Sequence, residues 1–257
     1  MILTGLLIPM AGIILGSAIV FFTRQQMSEL LQKTLFGFAA GVMMAASIWS
    51  LLLPSIEMCG EMEKWATLPA AIGFLLGIGF LLMVDMITPH LHFGTSEPEG
   101  PRSRLSRTTM LLLAVSIHHL PEGMAVGVVL AGAEHAETGI TSMGAFIVAL
   151  GIAIQNVPEG AIVSIPMRAA GKSRWQSFTL GCLSGAIQPI GAIAVILLSA
   201  ASIPLLPYML SFAAGAMLYV VVEELIPEAS TGHHTNLSTI GFAVGFVLMM
   251  MFDTVMG

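Results

Sequence analysis

The sequence has little charge. Only 9% of its 257 residues are Asp, Glu, Lys or Arg, against about 25% in an average soluble domain. A solvated globular surface cannot be built from so few charges. Cysteine is almost missing as well. Cys59 and Cys182 stand far apart, which excludes a disulfide framework and a thiolate metal motif. No G-x-x-x-x-G-K-[ST] stretch is present, so ATP-driven pumping is not indicated. No H-E-x-x-H occurs, and no Glu-x-x-His pair lies within an apolar run, which argues against an intramembrane metalloprotease or a di-iron enzyme. No A-x-A site follows the first apolar stretch, which is also too long for a signal-peptide core, so it reads as a retained span.

What the chain has is apolar length. It is 56% hydrophobic, with a mean hydropathy of +0.92, 27 glycines and 19 methionines. Small residues let membrane helices approach closely. A span needs about 20 apolar residues, and on that scale there are eight: about 2–22, 35–56, 66–89, 108–131, 139–167, 178–201, 204–227 and 237–255. The fold class is therefore all-α integral membrane, a single transmembrane domain, with a polar loop at 94–107 (GTSEPEGPRSRLSR). Arg24 and Lys33, then Arg102, Arg104 and Arg107, then Arg168, Lys172 and Arg174 occupy three loops that fall on one side of an eight-span chain. Lys64 alone falls on the other. Eight of the 9 basic residues on one side place that side, with the 94–107 loop, in the cytoplasm and both termini outside.

Two heptapeptides stand out inside the apolar runs. They are Ile117-His118-His119-Leu120-Pro121-Glu122-Gly123 and Ile154-Gln155-Asn156-Val157-Pro158-Glu159-Gly160. Both have the frame I-x-x-x-P-E-G. An ionisable residue in a span marks function by default, and a proline there frees a backbone carbonyl, here those of Ile117 and Ile154. His118 and Glu122 are i and i+4 and share a helix face, as do Gln155 and Glu159. The short link 132–138 makes the two spans antiparallel. Facing each other, they offer an imidazole, two carboxylates and an amide oxygen, a shell suited to a divalent first-row metal. His119 and Asn156, offset by one residue, line an adjacent position. The remaining spans form triplets, giving a 3+2+3 arrangement of the kind found in transporters built from inverted repeats, although no residue-level repeat between the triplets is evident.

These two stretches resemble the fourth- and fifth-span signatures of the ZIP (Zrt-, Irt-like) divalent-metal transporters, whose usual prokaryotic form is H-N-x-P-E-G followed by x-x-x-P-E-G. Val42–Glu57 (VMMAASIWSLLLPSIE) is similar to the second span of the GufA-like branch. The resemblance implies a main metal site of His118, Glu122, Gln155 and Glu159. It implies a second site of His119, Asn156 and Gln188, sharing the two glutamates. Many relatives carry Asn, Asp and Glu at those last three positions, so this chain lacks two of their carboxylates, and one tightly held metal with a weaker neighbour is expected.

The resemblance also implies a pathway. Met43 and Ser50 line it on the second span. Glu57 and Asp253 draw cations into a negative outer mouth. Asp85, His90, His92, Glu223 and Glu224 form the inner exit, His90-Leu91-His92 being similar to the short H-x-H run of the family loop. Glu228, His233 and His234 continue that side, whereas Glu134, His135 and Glu137 are solvated. The implied function is uptake of Zn2+, with Fe2+, Mn2+, Co2+ and Cd2+ sharing the same ligand chemistry, from outside into the cytoplasm across the plasma (inner) membrane. It is transport and not enzymatic catalysis, with no cofactor. The partners are the metal ion and the lipid bilayer. Relatives form homodimers, though no feature here demands one, and nothing points to nucleic acid. The readings from other classes are a proton-coupled carrier of an organic solute and an intramembrane metalloenzyme.

Overall fold

In a computed structural model, residues 2–23, 27–91, 98–199, 203–232 and 235–256 are described. Arg24, His92, His233 and His234 therefore lie outside the described residues, as do 94–97 of the polar loop. Among the described residues, eight helices are long and apolar enough to cross a membrane. They are α1 (Ile2–Phe21), α2 (Glu29–Glu57), α3 (Thr67–Ile87), α4 (Arg107–Gly132), α5 (Ser142–Ala169), α6 (Arg174–Ser199), α7 (Ile203–Ser230) and α8 (Leu237–Met256). Among the described residues the only β feature is an isolated bridge between His90 and Glu99.

Helix starts are set by polar caps. Ser28, Ser106, Thr141 and Ser173 each accept a backbone N–H three residues on, satisfying donors that a helix start leaves open. Two caps move boundaries. Ser28 starts α2 at Glu29, ahead of the Leu35 expected from hydropathy. A reciprocal capping box between Ser173 and Gln176 starts α6 at Arg174, ahead of Phe178. These first turns are polar, so an apolar count misses them.

The helices sort into two groups of four. The most extensive pairings are α1 with α5, α4 with α6, α2 with α8 and α3 with α7. One group is thus α1, α4, α5 and α6; the other is α2, α3, α7 and α8. The groups meet where α4 packs on α7 and α5 on α2.

A residue-level repeat, not evident from the sequence alone, underlies this arrangement. Phe38-Ala39-Ala40-Gly41-Val42-Met43 of α2 recurs as Phe212-Ala213-Ala214-Gly215-Ala216-Met217 of α7. Ile72-Gly73-Phe74 with Gly77 of α3 recurs as Ile240-Gly241-Phe242 with Gly245 of α8. The contacts repeat with the residues. A Cβ on Gly41 would strike the carbonyl of Phe242, and one on Gly215 the carbonyl of Phe74. Glycine there lets two backbones touch, which drives helix association where lipid removes the hydrophobic driving force. In the same register Asp85 matches Asp253, and Glu224 matches Ser50.

Both α2 and α7 widen into π-helical turns, at Ala46–Leu52 and Val221–Leu225. Each turn runs into a proline, Pro54 or Pro227, that cannot donate to the preceding turn. A wide turn absorbs the missing bond and re-aims the side chains on it. Those side chains include Ser50 and Glu224.

The α3–α4 connection is pinned at its start. His90 is buried, with Nδ1 2.8 Å from the Thr88 carbonyl and Nε2 3.0 Å from an Asp85 carboxylate oxygen. The Asp85 hydrogen bond raises the His90 pKa to about 9, against the opposing effect of burial. A histidine with a raised folded-state pKa contributes stability in full below its unfolded value, and that contribution is lost as pH rises through about 9.

Two predictions follow from this packing. Gly41→Ala and Gly215→Ala each cost about 1–3 kcal/mol by overpacking, lowering the melting temperature of the detergent-purified protein, whereas Gly79→Ala, with open space at its Cβ position, does not. The melting temperature also falls more between pH 6 and pH 10 in the parent than in His90→Gln; equal falls would show that the Asp85–His90 pair contributes nothing.

Candidate metal centre

Three spans of one group build the centre. Pro121 and Pro158 sit inside α4 and α5, yet both helices continue through them. The glutamate after each proline therefore stays in helical register with the polar residues a turn earlier. Gly123 completes the approach of α4 to α6, since a Cβ there would meet the backbone of Gln188.

α6 is discontinuous at this depth, between Ser184 and Ile187. The cause is Pro189, which cannot donate to Gly185. The Gln188 N–H bonds to the Gly185 carbonyl instead, at 3.1 Å. That leaves the Ser184 carbonyl without its helical partner. It faces His119 Nδ1 at 3.0 Å. Irregular backbone is tolerated at membrane depth where it lines a site.

His119, Glu122 and Glu159 converge, with ligand atoms all within 4.8 Å of one another, and all three are buried. His119 Nε2 stands 3.3 Å from a Glu159 carboxylate oxygen. Glu122 accepts from Gln155 Nε2 at 3.0 Å on one oxygen and from Gln188 Nε2 at 2.5 Å on the other. Asn156 donates from Nδ2 to the Pro9 carbonyl of α1 at 3.0 Å. Gln155 and Asn156 are fully buried and Gln188 is nearly so. Among the described residues, no hydrogen bond reaches His119 Nε2, Glu159 Oε1, Gln155 Oε1, Asn156 Oδ1 or Gln188 Oε1. Leaving a buried polar atom unpaired is costly, and a lining this rich in acceptors has the chemistry of a cation site.

His118 is not in that convergence. Its Nε2 pairs with Glu224 of α7, across the boundary between the two helix groups. A cavity there is lined by His118, Glu159, Glu224 and Glu228. Glu228 also lines a larger crevice with Lys33, Thr108, Met167 and Ala170. The crevice opens at the end of the molecule that carries the three basic loops.

The other pathway residues fall into two clusters. Ser50 donates to an Asp253 carboxylate oxygen at 2.6 Å, and both line a cavity with Glu57 on the opposite face. Fully buried Met43, Ala125 and Ile152 belong to the apolar core between that cavity and the centre. Asp85 pairs with His90 and accepts from the Tyr219 hydroxyl at 3.2 Å; Glu99 completes a second convergence with them. Glu223 is exposed, unlike its buried neighbour Glu224.

Sequence reasoning did not find Tyr219, Glu99, or the carbonyls of Ser184 and Pro9. A backbone carbonyl has no sequence signature. Pro189 was the available clue to Ser184, because a proline in a span frees a carbonyl near it.

The centre's residues lie in the stretch that also matches known proteins. The profile of the ZIP zinc transporters matches residues 95–253. The chain is 36% identical to the zinc transporter ZIP11 of Homo sapiens, over 94% of this chain and 93% of that protein. It is 37% identical to the zinc transporter ZIPB of Bordetella bronchiseptica, over 88% and 72%, and 35% identical to the zinc transporter GufA of Myxococcus xanthus, over 81% of each. With a profile match over more than half the chain and relatives aligned along nearly all of it, the chain belongs to the ZIP zinc transporter family.

Proposed function

We propose that the protein imports zinc from outside the cell into the cytoplasm, carrying it through the mid-membrane centre. The observation that carries this reading is the buried convergence of His119, Glu122 and Glu159 amid acceptor atoms that no donor meets. Imidazole and carboxylate without thiolate suit Zn2+, and to a lesser degree Fe2+, Co2+, Mn2+ and Cd2+. Glu122 and Glu159 are the anionic ligands. The resemblance adds His118 and Gln155 to the main set, which requires His118 to turn from Glu224, and His119, Asn156 and Gln188 line the neighbouring position, which holds a second ion more weakly.

The direction follows from the basic loops, which put the crevice at Lys33 and Ala170 on the cytoplasmic side and both termini outside. An inward-facing conformation fits the cavities: the one lined by Glu159 and Glu224 shares Glu228 with the crevice, while the apolar core around Met43 and Ile152 separates the centre from the outer cavity. Zinc enters past Glu57, Ser50 and Asp253. It leaves past Glu224 and Glu228, with Asp85 and His90 beside the exit. Every residue of the convergence belongs to the α1, α4, α5 and α6 group, which supports movement of that group as a unit against the other four helices. No step needs a covalent intermediate or a cofactor.

Reconstituted vesicles containing the parent accumulate radioactive zinc, and His118→Ala and Glu159→Ala each reduce the initial rate at least tenfold. A parent that moves no zinc, or variants that move it equally well, would refute the proposal. For the orientation, a cysteine at Ala170 in a chain with Cys59 and Cys182 replaced by serine reacts with an impermeant maleimide only from the cytoplasmic side. One at Thr141 reacts only from outside. The opposite pattern would invert the topology and the direction of transport.

A further inference from the structure

One basic side chain stands on the wall of the inner crevice. Lys33, in the second turn of α2, lines it together with Glu29, Gln32 and Glu228. A lysine near the end of a span ordinarily turns out to the headgroups. This one turns in and is only 5% exposed, and among the described side chains no other Lys or Arg is buried. Its Nζ lies 2.7 Å from a carboxylate oxygen of Glu29, one helical turn away, while Glu29 itself stays open to water. The end of α7 closes over the pair. At Gly232, four residues after Glu228, the backbone takes a left-handed φ of 76°. A Cβ there would stand 2.5 Å from the Glu29 oxygen and 3.4 Å from Lys33 Nζ. The ammonium is therefore held beside the carbonyl end of α7, where a helix favours a cation.

Burying an ammonium is costly, and an apolar residue of similar volume would pack at least as well. Packing therefore does not account for Lys33, and its effect on the crevice is electrostatic. Glu228 lines both the inner cavity and the crevice, so an ion leaving past Glu224 meets the wall that carries Glu228 and Glu29. Two carboxylates with no base among them would carry the charge with which the centre itself holds a divalent ion. With Lys33 the wall keeps one net negative charge. We propose that Lys33 is a tethered counter-cation of the exit, engaging the carboxylates of the crevice so that they hand the outgoing ion to the cytoplasm and do not retain it. The remaining negative charge still favours cations over anions in the crevice. Lys33 acts through Glu29 and Glu228 and does not touch the ion, which makes it a positioning residue. All three belong to α2 and α7, in the helix group that does not carry the centre.

This inference rests on the reading that metal leaves through the crevice, and its test separates the two. In a binding arm, the purified, metal-stripped protein carries Glu122→Ala and Glu159→Ala, which removes the carboxylates of the centre, and is titrated with zinc by calorimetry. Adding Lys33→Met, which keeps the apolar stem, strengthens zinc binding at least tenfold. Adding Glu29→Gln as well reverses the gain, and Lys33→Arg produces none. In a transport arm, zinc uptake into reconstituted vesicles is measured against external zinc. Lys33→Met lowers Vmax and KM together, each at least threefold, as expected when release becomes slow. Lys33→Arg retains both values, and Lys33→Met with Glu29→Gln recovers Vmax. Zinc binding within threefold of the background in Lys33→Met overturns the inference, as does a fall in Vmax with KM unchanged or raised. Lys33→Gln replaces Lys33→Met in both arms if the latter does not fold. A parent that moves no zinc removes the transport reading, and the binding arm still decides whether Lys33 keeps the crevice from holding metal.

Discussion

Two carboxylates lie side by side with almost no exposed surface. Glu122 and Glu159 are buried at the centre of an apolar bundle, and an ion taken out of water costs several kcal/mol unless it is matched. Much of the surrounding architecture meets that cost. Gln155 and Gln188 donate to both oxygens of Glu122. His119 faces Glu159, and the break in α6 provides the carbonyl that holds His119 in place. Amides can reverse, offering a donor to a bare carboxylate and an oxygen to a metal. The same residues therefore serve a centre that must exist both with and without its cargo.

The centre's position within one helix group gives that chemistry a mechanical setting. α1, α4, α5 and α6 carry all of the converging side chains, while α2, α3, α7 and α8 carry Ser50, Asp253, Asp85 and Glu224. The second group's repeat puts Ser50 and Asp253 at one mouth and their counterparts Glu224 and Asp85 at the other. Both mouths are formed beside π-helical turns that end in proline. His118 is the side chain of the heptapeptides that bridges the groups, through Glu224.

Much of this was legible in the sequence. Hydropathy found the spans because a bilayer allows few alternatives to a long apolar helix. The two P-E-G frames stand out because charge in such a helix is rare, and their two glutamates converge in the structure. The division into two groups was not legible, because it depends on contacts between helices far apart in the chain. The Phe-Ala-Ala-Gly and Ile-Gly-Phe repeats that mark it are short, and made mostly of residues common in any membrane helix. The i, i+4 spacing and the resemblance put His118 in the main set, yet it pairs with Glu224, and His119 is the histidine beside the two glutamates. Neighbouring helical positions point in different directions, and which one faces the centre is set by the carbonyl that Pro189 frees on another span. The early start of α2 was hidden because Ser28 and Glu29 are polar.

On the proposed reading, charge balance sets the capacity of the centre. Two carboxylates and neutral imidazole and amide ligands neutralise one divalent cation; a second would leave two uncompensated positive charges in a medium that screens them poorly. The most direct test is the number of zinc ions retained per chain after equilibration with excess zinc and gel filtration, measured by elemental analysis against protein concentration. The account predicts one. Two per chain, both lost together in Glu122→Ala, would contradict it.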